Sequence, residues 1–220
     1  QELIPEGSSI LEIGCGNGHL IGALNPLSGV GIDISSEMIL EAQKKYENLN
    51  FIIADIENNN CIKDIDQTFD FIIISDTIGY LNDIENTFEK LHKVCNADTR
   101  IIVAYYSPFW EPILNITARF KFKMPELPKA LLNETDISTL LGSAGYETVK
   151  YQKKIIFPFS LFGIGRILNR FLSCVPILSY LCIRSYVVSR SLKSVLLDLP
   201  NSASVIIPCR NEKGNIKNAL

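Results

Sequence analysis

The residues with the clearest chemical potential lie in one run, Glu12-Ile13-Gly14-Cys15-Gly16-Asn17-Gly18-His19. An apolar stretch leads into it and Leu20-Ile21-Gly22-Ala23-Leu24 follows, the pattern of a strand, a glycine-rich turn and a helix. Glycines let the backbone turn tightly and approach a ligand, and the free N–H groups opening the helix favour a carboxylate or phosphate. Three more apolar runs end in polar groups: Val30 to Ile34 carries Asp33, Phe51 to Ile56 carries Asp55, and Phe69 to Asp76 ends on Ser75-Asp76. An acid at the tip of the second strand of a nucleotide-binding βαβ unit accepts hydrogen bonds from ribose hydroxyls. Four such strands place their polar ends along the carboxyl edge of a parallel sheet, where open α/β folds bind ligands.

Glycine spacing separates two kinds of ligand. A dinucleotide fingerprint, Gly-x-Gly-x-x-Gly, would need its third glycine at His19 or Leu20, whereas this chain has Gly14-x-Gly16-x-Gly18. Glu12 also stands two residues before the first glycine. A carboxylate there sits badly against a pyrophosphate and suits the cationic amino group of a methionine moiety.

Taken together, Glu12-x-Gly14-x-Gly16-x-Gly18, Gly31-Ile32-Asp33-Ile34-Ser35, Ala54-Asp55-Ile56 and Phe69 to Ile74 resemble the class I S-adenosylmethionine-dependent methyltransferases. Leu140-Leu141-Gly142-Ser143-Ala144-Gly145-Tyr146-Glu147 is similar to the helix and Gly-aromatic turn before that family's sixth strand. The resemblance covers Ile4 to Leu192. It implies a Rossmann-like, doubly wound seven-stranded α/β sheet with an antiparallel last strand, and S-adenosyl-L-methionine as cofactor. By matching position, it implies that Gly14, Gly16 and Gly18, with Cys15, Asn17 and His19 in the same loop, line the methionine part, and that Glu12 supports its amino group. It further gives Asp33 to the ribose hydroxyls, Ile34 to the adenine face, Asp55 to the adenine amino group, the Ile56 N–H to the same ring, and Ser75 to the sulfonium end. The sulfonium methyl is already electrophilic, so neither a metal nor a protein nucleophile is expected, and alignment is the main task. Acceptor-side candidates are His19, Asp76, Tyr80, Tyr105, Tyr106 and Glu111, with no catalytic constellation readable among them.

The elements that must position these groups follow from apolar runs and their breakers. Strands are expected over Ser9–Gly14, Gly29–Ile34, Asn50–Asp55, Phe69–Ser75, Arg100–Tyr106, Thr148–Phe157 and Arg184–Arg190. Helices are expected over His19–Leu24, Ser36–Tyr46, Asp83–Cys95 and Glu134–Ser143, with Ser35 or Ser36 capping the second. Alternating strands and helices define a doubly wound sheet.

The 220 residues are 47% hydrophobic and 20% charged, which suits one domain with a large core and excludes a disordered chain. A net charge of −3 gives no basic nucleic-acid surface, and Arg119-Phe120-Lys121-Phe122-Lys123 reads as a solvated connector. Six scattered cysteines, none in C-x-x-C spacing, and two histidines point away from a structural metal and towards a reducing cytoplasm. The chain opens on Gln1 with only eight residues before the first expected strand, so an upstream helix covering the donor is expected.

Three segments exceed the minimal pattern. Ser107 to Leu132, rich in aromatics and prolines, reads either as a pocket lid or as locally packed aromatics. Residues 155–183 are apolar but carry Arg166 and Arg170 on one helical face, too costly for a central membrane span. They read as a helical insert, either capping the core or touching the inner face of a membrane peripherally. Ser204-Val205-Ile206-Ile207-Pro208-Cys209-Arg210-Asn211-Glu212 resembles the first strand and loop of a family 2 glycosyltransferase. The expected organisation is a methyltransferase domain over 1–196, a linker over 197–203 and the start of a glycosyltransferase domain over 204–220. That resemblance implies a small-molecule, glycan or lipid-linked sugar acceptor; the alternative is a donor-binding scaffold without catalysis.

Overall fold

A computed structural model describes residues 3–58, 61–107, 132–154 and 182–193. Its sheet has seven strands: β1 (Ser9–Ile13), β2 (Ser28–Asp33), β3 (Asn50–Ile53), β4 (Phe69–Ser75), β5 (Cys95–Tyr106), β6 (Tyr146–Lys154) and β7 (Arg184–Ser191). The order is β3-β2-β1-β4-β5-β7-β6, and β7 runs antiparallel to both neighbours. This is the doubly wound sheet with an antiparallel last strand that the sequence implied. The order reverses at β1 and β4, so the crevice of such a sheet opens over their carboxyl ends.

Strand alternation splits the core in two. Leu11, Ile13, Ile72, Ile74, Ile101 and Val103 face one side and pack with α3 (Ile84–Leu91) and α4 (Glu134–Ser143). Ile10, Ile73, Ile102 and Val188 face the other and pack with α1 (His19–Leu24) and α2 (Ser36–Lys45). Glu12 falls on this second face and is the one buried acid among the described residues.

Caps fix where the helices start. Ser35 accepts from the Met38 N–H at 3.4 Å, Asp83 accepts from Asn86 at 3.0 Å, and Asn133 forms a capping box with Asp136. The helix expected over Asp83–Cys95 is shorter. It tightens into a 3-10 turn over His92–Val94, and Cys95 already pairs with Phe69 in the sheet. His92 pins this turn, its ring nitrogens lying 2.7 Å from Ser191 Oγ and 2.7 Å from the Ala144 carbonyl. The connection 108–131, Glu111 within it, the insert 155–181 with Arg166 and Arg170, and the carboxyl-terminal 194–220 lie outside the described residues.

Candidate active site

The glycine turn joins β1 to α1 at the crevice. Gly14, Gly16 and Gly18 have φ of +71°, +52° and +74°, a region that other residues enter only with strain. Gly14 is also a close approach: a Cβ there would lie 1.9 Å from Thr77 Oγ1, just past β4. Cys15 is buried, and burial, with Glu12 and Asp33 nearby, pushes its thiol up to about 12, so it fills space and stays protonated. Asn17 is half-buried in the turn.

Asp33, ending β2, ties the turn down. Its Oδ2 accepts from the Gly16 N–H at 2.7 Å and its Oδ1 from the Ser35 N–H at 2.9 Å. An ionised carboxylate has about four acceptor sites, so each oxygen keeps a lone pair for a vicinal diol. Glu12 is 2% exposed and accepts from the Ile21 N–H at 3.0 Å, satisfying one unpaired donor of the first turn of α1. Burial is the main cause that pushes its carboxyl up to about 8; the Ile21 N–H opposes this and Asp33 adds to it. A cation arriving beside Glu12 would restore its charge.

On the other flank, Ile34 is 71% exposed immediately after Asp33, an apolar face for a ring to lie on. Asp55 is exposed after β3 and its Oδ1 accepts from the Glu57 N–H at 2.9 Å. It borders a depression of about 370 Å³ whose walls include Ile53, Ala54, Asn58 and Cys61. Ile56 is buried in the core. The glycine turn, the Asp33 carboxylate, the exposed Ile34 and Asp55 thus follow one another along one edge, and their chemistry fits a methionine–ribose–adenine molecule.

His19 follows the glycine turn as the first residue of α1; it is exposed, and its Nε2 lies 3.1 Å from Lys45 Nζ of α2. One expectation needs correction. Tyr105, expected to reach the pocket, is 6% exposed and belongs to the opposite core. Strand alternation gives the crevice face to Tyr106 instead. Three residues the sequence reading missed stand at this edge: Thr77, Arg184 and Tyr186. Arg184 Nη2 donates to Asp76 Oδ2 at 2.7 Å and to Ser75 Oγ at 2.9 Å, and its guanidinium stacks 4.9 Å from the Tyr106 ring. Among the described residues, no group of three or more His, Cys, Asp or Glu could hold a metal ion.

This fold and this edge define a Rossmann-like, S-adenosylmethionine-dependent methyltransferase domain of class I. The chain belongs to the methyltransferase domain family, whose model matches residues 4–154. It is similar to a putative methyltransferase, 235L, of Invertebrate iridescent virus 6, at 26% identity over 46% of this chain and 38% of that one. It is also similar to the ubiquinone/menaquinone biosynthesis C-methyltransferase UbiE of Escherichia coli O1:K1, at 23% identity over 67% of this chain and 70% of that one. The chain spans 18% of a bifunctional methionine biosynthesis protein MetXA/MetW of Rhodopirellula baltica, so it matches only part of some relatives. Among solved structures, an S-adenosylmethionine-dependent methyltransferase from Mesorhizobium loti superposes with a TM-score of 0.61 at 14% identity, covering 86% of this chain and 94% of that one. Magnesium protoporphyrin IX methyltransferase from Synechocystis, solved with bound SAH, gives 0.55 at 17% identity over 84% and 74%. Identities this low bear on the fold alone.

Proposed function

We propose that the protein transfers a methyl group from S-adenosyl-L-methionine to a small-molecule acceptor, with a glycan or lipid-linked sugar as its class. The observation that carries the donor half is the Asp33 carboxylate, anchored by Gly16 and Ser35 yet keeping lone pairs at the open edge. In this reading Glu12 faces the amino group, Gly14, Gly16 and Gly18 line the methionine part, and Asp33 takes the ribose. Ile34 packs on the adenine, Asp55 and the Ile56 N–H bond its edge, and Ser75 lies towards the sulfonium. The bound donor supplies the electrophilic methyl. The residues orient the two substrates and exclude water, tasks that contribute up to ~7–11 kcal/mol where alignment is good.

The relatives named for quinone biosynthesis and for magnesium protoporphyrin IX support a small-molecule acceptor. The sugar class, and a fused glycosyltransferase beginning near residue 204, rest on the carboxyl-terminal sequence motif. A cytoplasmic location rests on the scattered cysteines, none in C-x-x-C spacing. Peripheral membrane contact through 155–183 rests on its composition; among the described residues no helix is long and apolar enough to cross a membrane.

Calorimetric titration with S-adenosylmethionine, S-adenosylhomocysteine and NAD tests the donor reading. The first two bind and NAD does not; binding of NAD alone would overturn it.

A further inference from the structure

Three buried polar atoms among the described residues lack a hydrogen-bond partner: Asp76 Oδ1, Arg184 Nε and Gln152 Oε1. They are not scattered. Ser75 pairs with Ala104, Ala104 with Tyr186, and Tyr186 with Gln152, a row across β4, β5, β7 and β6. Arg184 stands two residues from Tyr186 on the same face, directly opposite Tyr106. At about 4.8 Å between strands, the row is ~14 Å long. Within the row Ala104, with only a methyl group, stands between Ser75 and Tyr186. Asp76 is held at φ +59°, a left-handed conformation that costs energy outside glycine and clusters at functional sites.

Unmet buried polar atoms are costly, and these share one edge. We propose that this row is the acceptor subsite and that it takes a neutral polyhydroxylated molecule, a sugar ring, methylated on oxygen. The proposal rests on the donor reading above and deepens it. Two orphaned acceptors and one orphaned donor match hydroxyl groups, which give and accept at once. Asp76 and Arg184 already form a salt bridge at 2.7 Å, so the pair offers no net charge to an ionic ligand. An ammonium would stand beside Arg184 and a phosphate beside Asp76. One hydroxyl bridges Asp76 Oδ1 and Arg184 Nε, and a second donates to Gln152 Oε1. The bridging hydroxyl oxygen attacks the sulfonium methyl in line, the S–CH3 bond breaks with its electron pair going to sulfur, S-adenosylhomocysteine leaves, and the hydroxyl proton passes to Asp76 Oδ1 and on to water.

The test uses methyl hexopyranosides and methyl 6-deoxyhexopyranosides as probes, with glucosamine and glucose 1-phosphate as charged controls. Saturation-transfer NMR reads binding, labelled S-adenosylmethionine reads methyl-ether formation, and calorimetry reads the donor. Wild type binds neutral glycosides in preference to both controls. Gln152→Leu weakens that binding about tenfold with donor affinity unchanged. Asp76→Asn tolerates the left-handed backbone but cannot take the proton, so methyl-ether formation at saturating glycoside falls ~100-fold or more. The subsite is overturned if no glycoside binds or none is methylated, if the charged controls bind better, if Gln152→Leu changes nothing, or if Asp76→Asn keeps full activity. Failure of wild type to bind S-adenosylmethionine would instead overturn the donor reading.

Discussion

Glu12→Gln separates the stabilising and the binding roles of the buried acid. The carboxyl is 2% exposed and pushed from an ordinary value of 4.5 up to about 8. Between those values the folded protein holds a proton that the unfolded chain has released, so stability without ligand falls as pH rises across the interval. At ~1.4 kcal/mol per tenfold change in proton affinity, the full interval amounts to about 5 kcal/mol, of which roughly 3 kcal/mol is lost between pH 5.5 and 8. Glutamine keeps the shape and still offers an oxygen to the Ile21 N–H, but has nothing to ionise. Urea unfolding at pH 5.5 and 8 therefore shows wild type falling behind the variant by an amount of that order. A stability difference that is flat within about 0.5 kcal/mol across this range would refute the buried, protonated acid. The donor reverses the preference. Its ammonium group takes the place of the proton, so wild type binds S-adenosylmethionine more tightly from pH 5.5 to 7 with proton release, and the variant shows neither effect.

Asp33→Ala removes the anchor of Gly16 and the acceptor for the ribose together; calorimetry reads a loss of donor affinity on the order of 1.5–3 kcal/mol, and unchanged affinity in a folded variant removes Asp33 from the site. Gly14→Ala drives a Cβ into Thr77 at a φ of +71°, so it lowers thermal stability and donor affinity, with partial recovery in Gly14→Ala/Thr77→Ala; a neutral single variant would contradict the close approach. Methyl transfer persists in EDTA, because the sulfonium needs no Lewis acid; activity lost to chelation and restored by one divalent ion would overturn this. If residues 155–183 touch a membrane, the protein floats with anionic liposomes and Arg166→Glu/Arg170→Glu does not; flotation of neither ends that reading.

The elements of the proposed donor edge were legible because their information is local. A strand, a turn that only glycine enters freely, and a helix follow within sixteen residues of Ser9, and each later acid sits at the end of its own apolar run. Boundaries slipped where two signals compete, as at Asp83–Cys95, where helical periodicity runs into a residue that pairs with Phe69. Tyr105 and Tyr106 show a different limit. Adjacent tyrosines point to opposite faces, and choosing between them requires the register of β5 against β7, which no local pattern carries.

On the proposed acceptor side the sequence offered Asp76 and Tyr106 as candidates but no signal for their partner Arg184. Arg184 meets Asp76 across 108 residues of chain, and nothing in Cys182-Ile183-Arg184-Ser185-Tyr186 suggests more than a strand with an exposed charge. Only the antiparallel return of β7 beside β5 brings the start of that strand to the carboxyl ends of the parallel ones. In a wholly parallel sheet Arg184 would open at the far edge, away from the donor turn. The reversal of one strand therefore does more than complete the sheet. It puts a cation beside the acid that follows β4, so that the pair carries no net charge. The charge of any acceptor selected there depends on that one topological feature, and motif reading along the chain has no access to it.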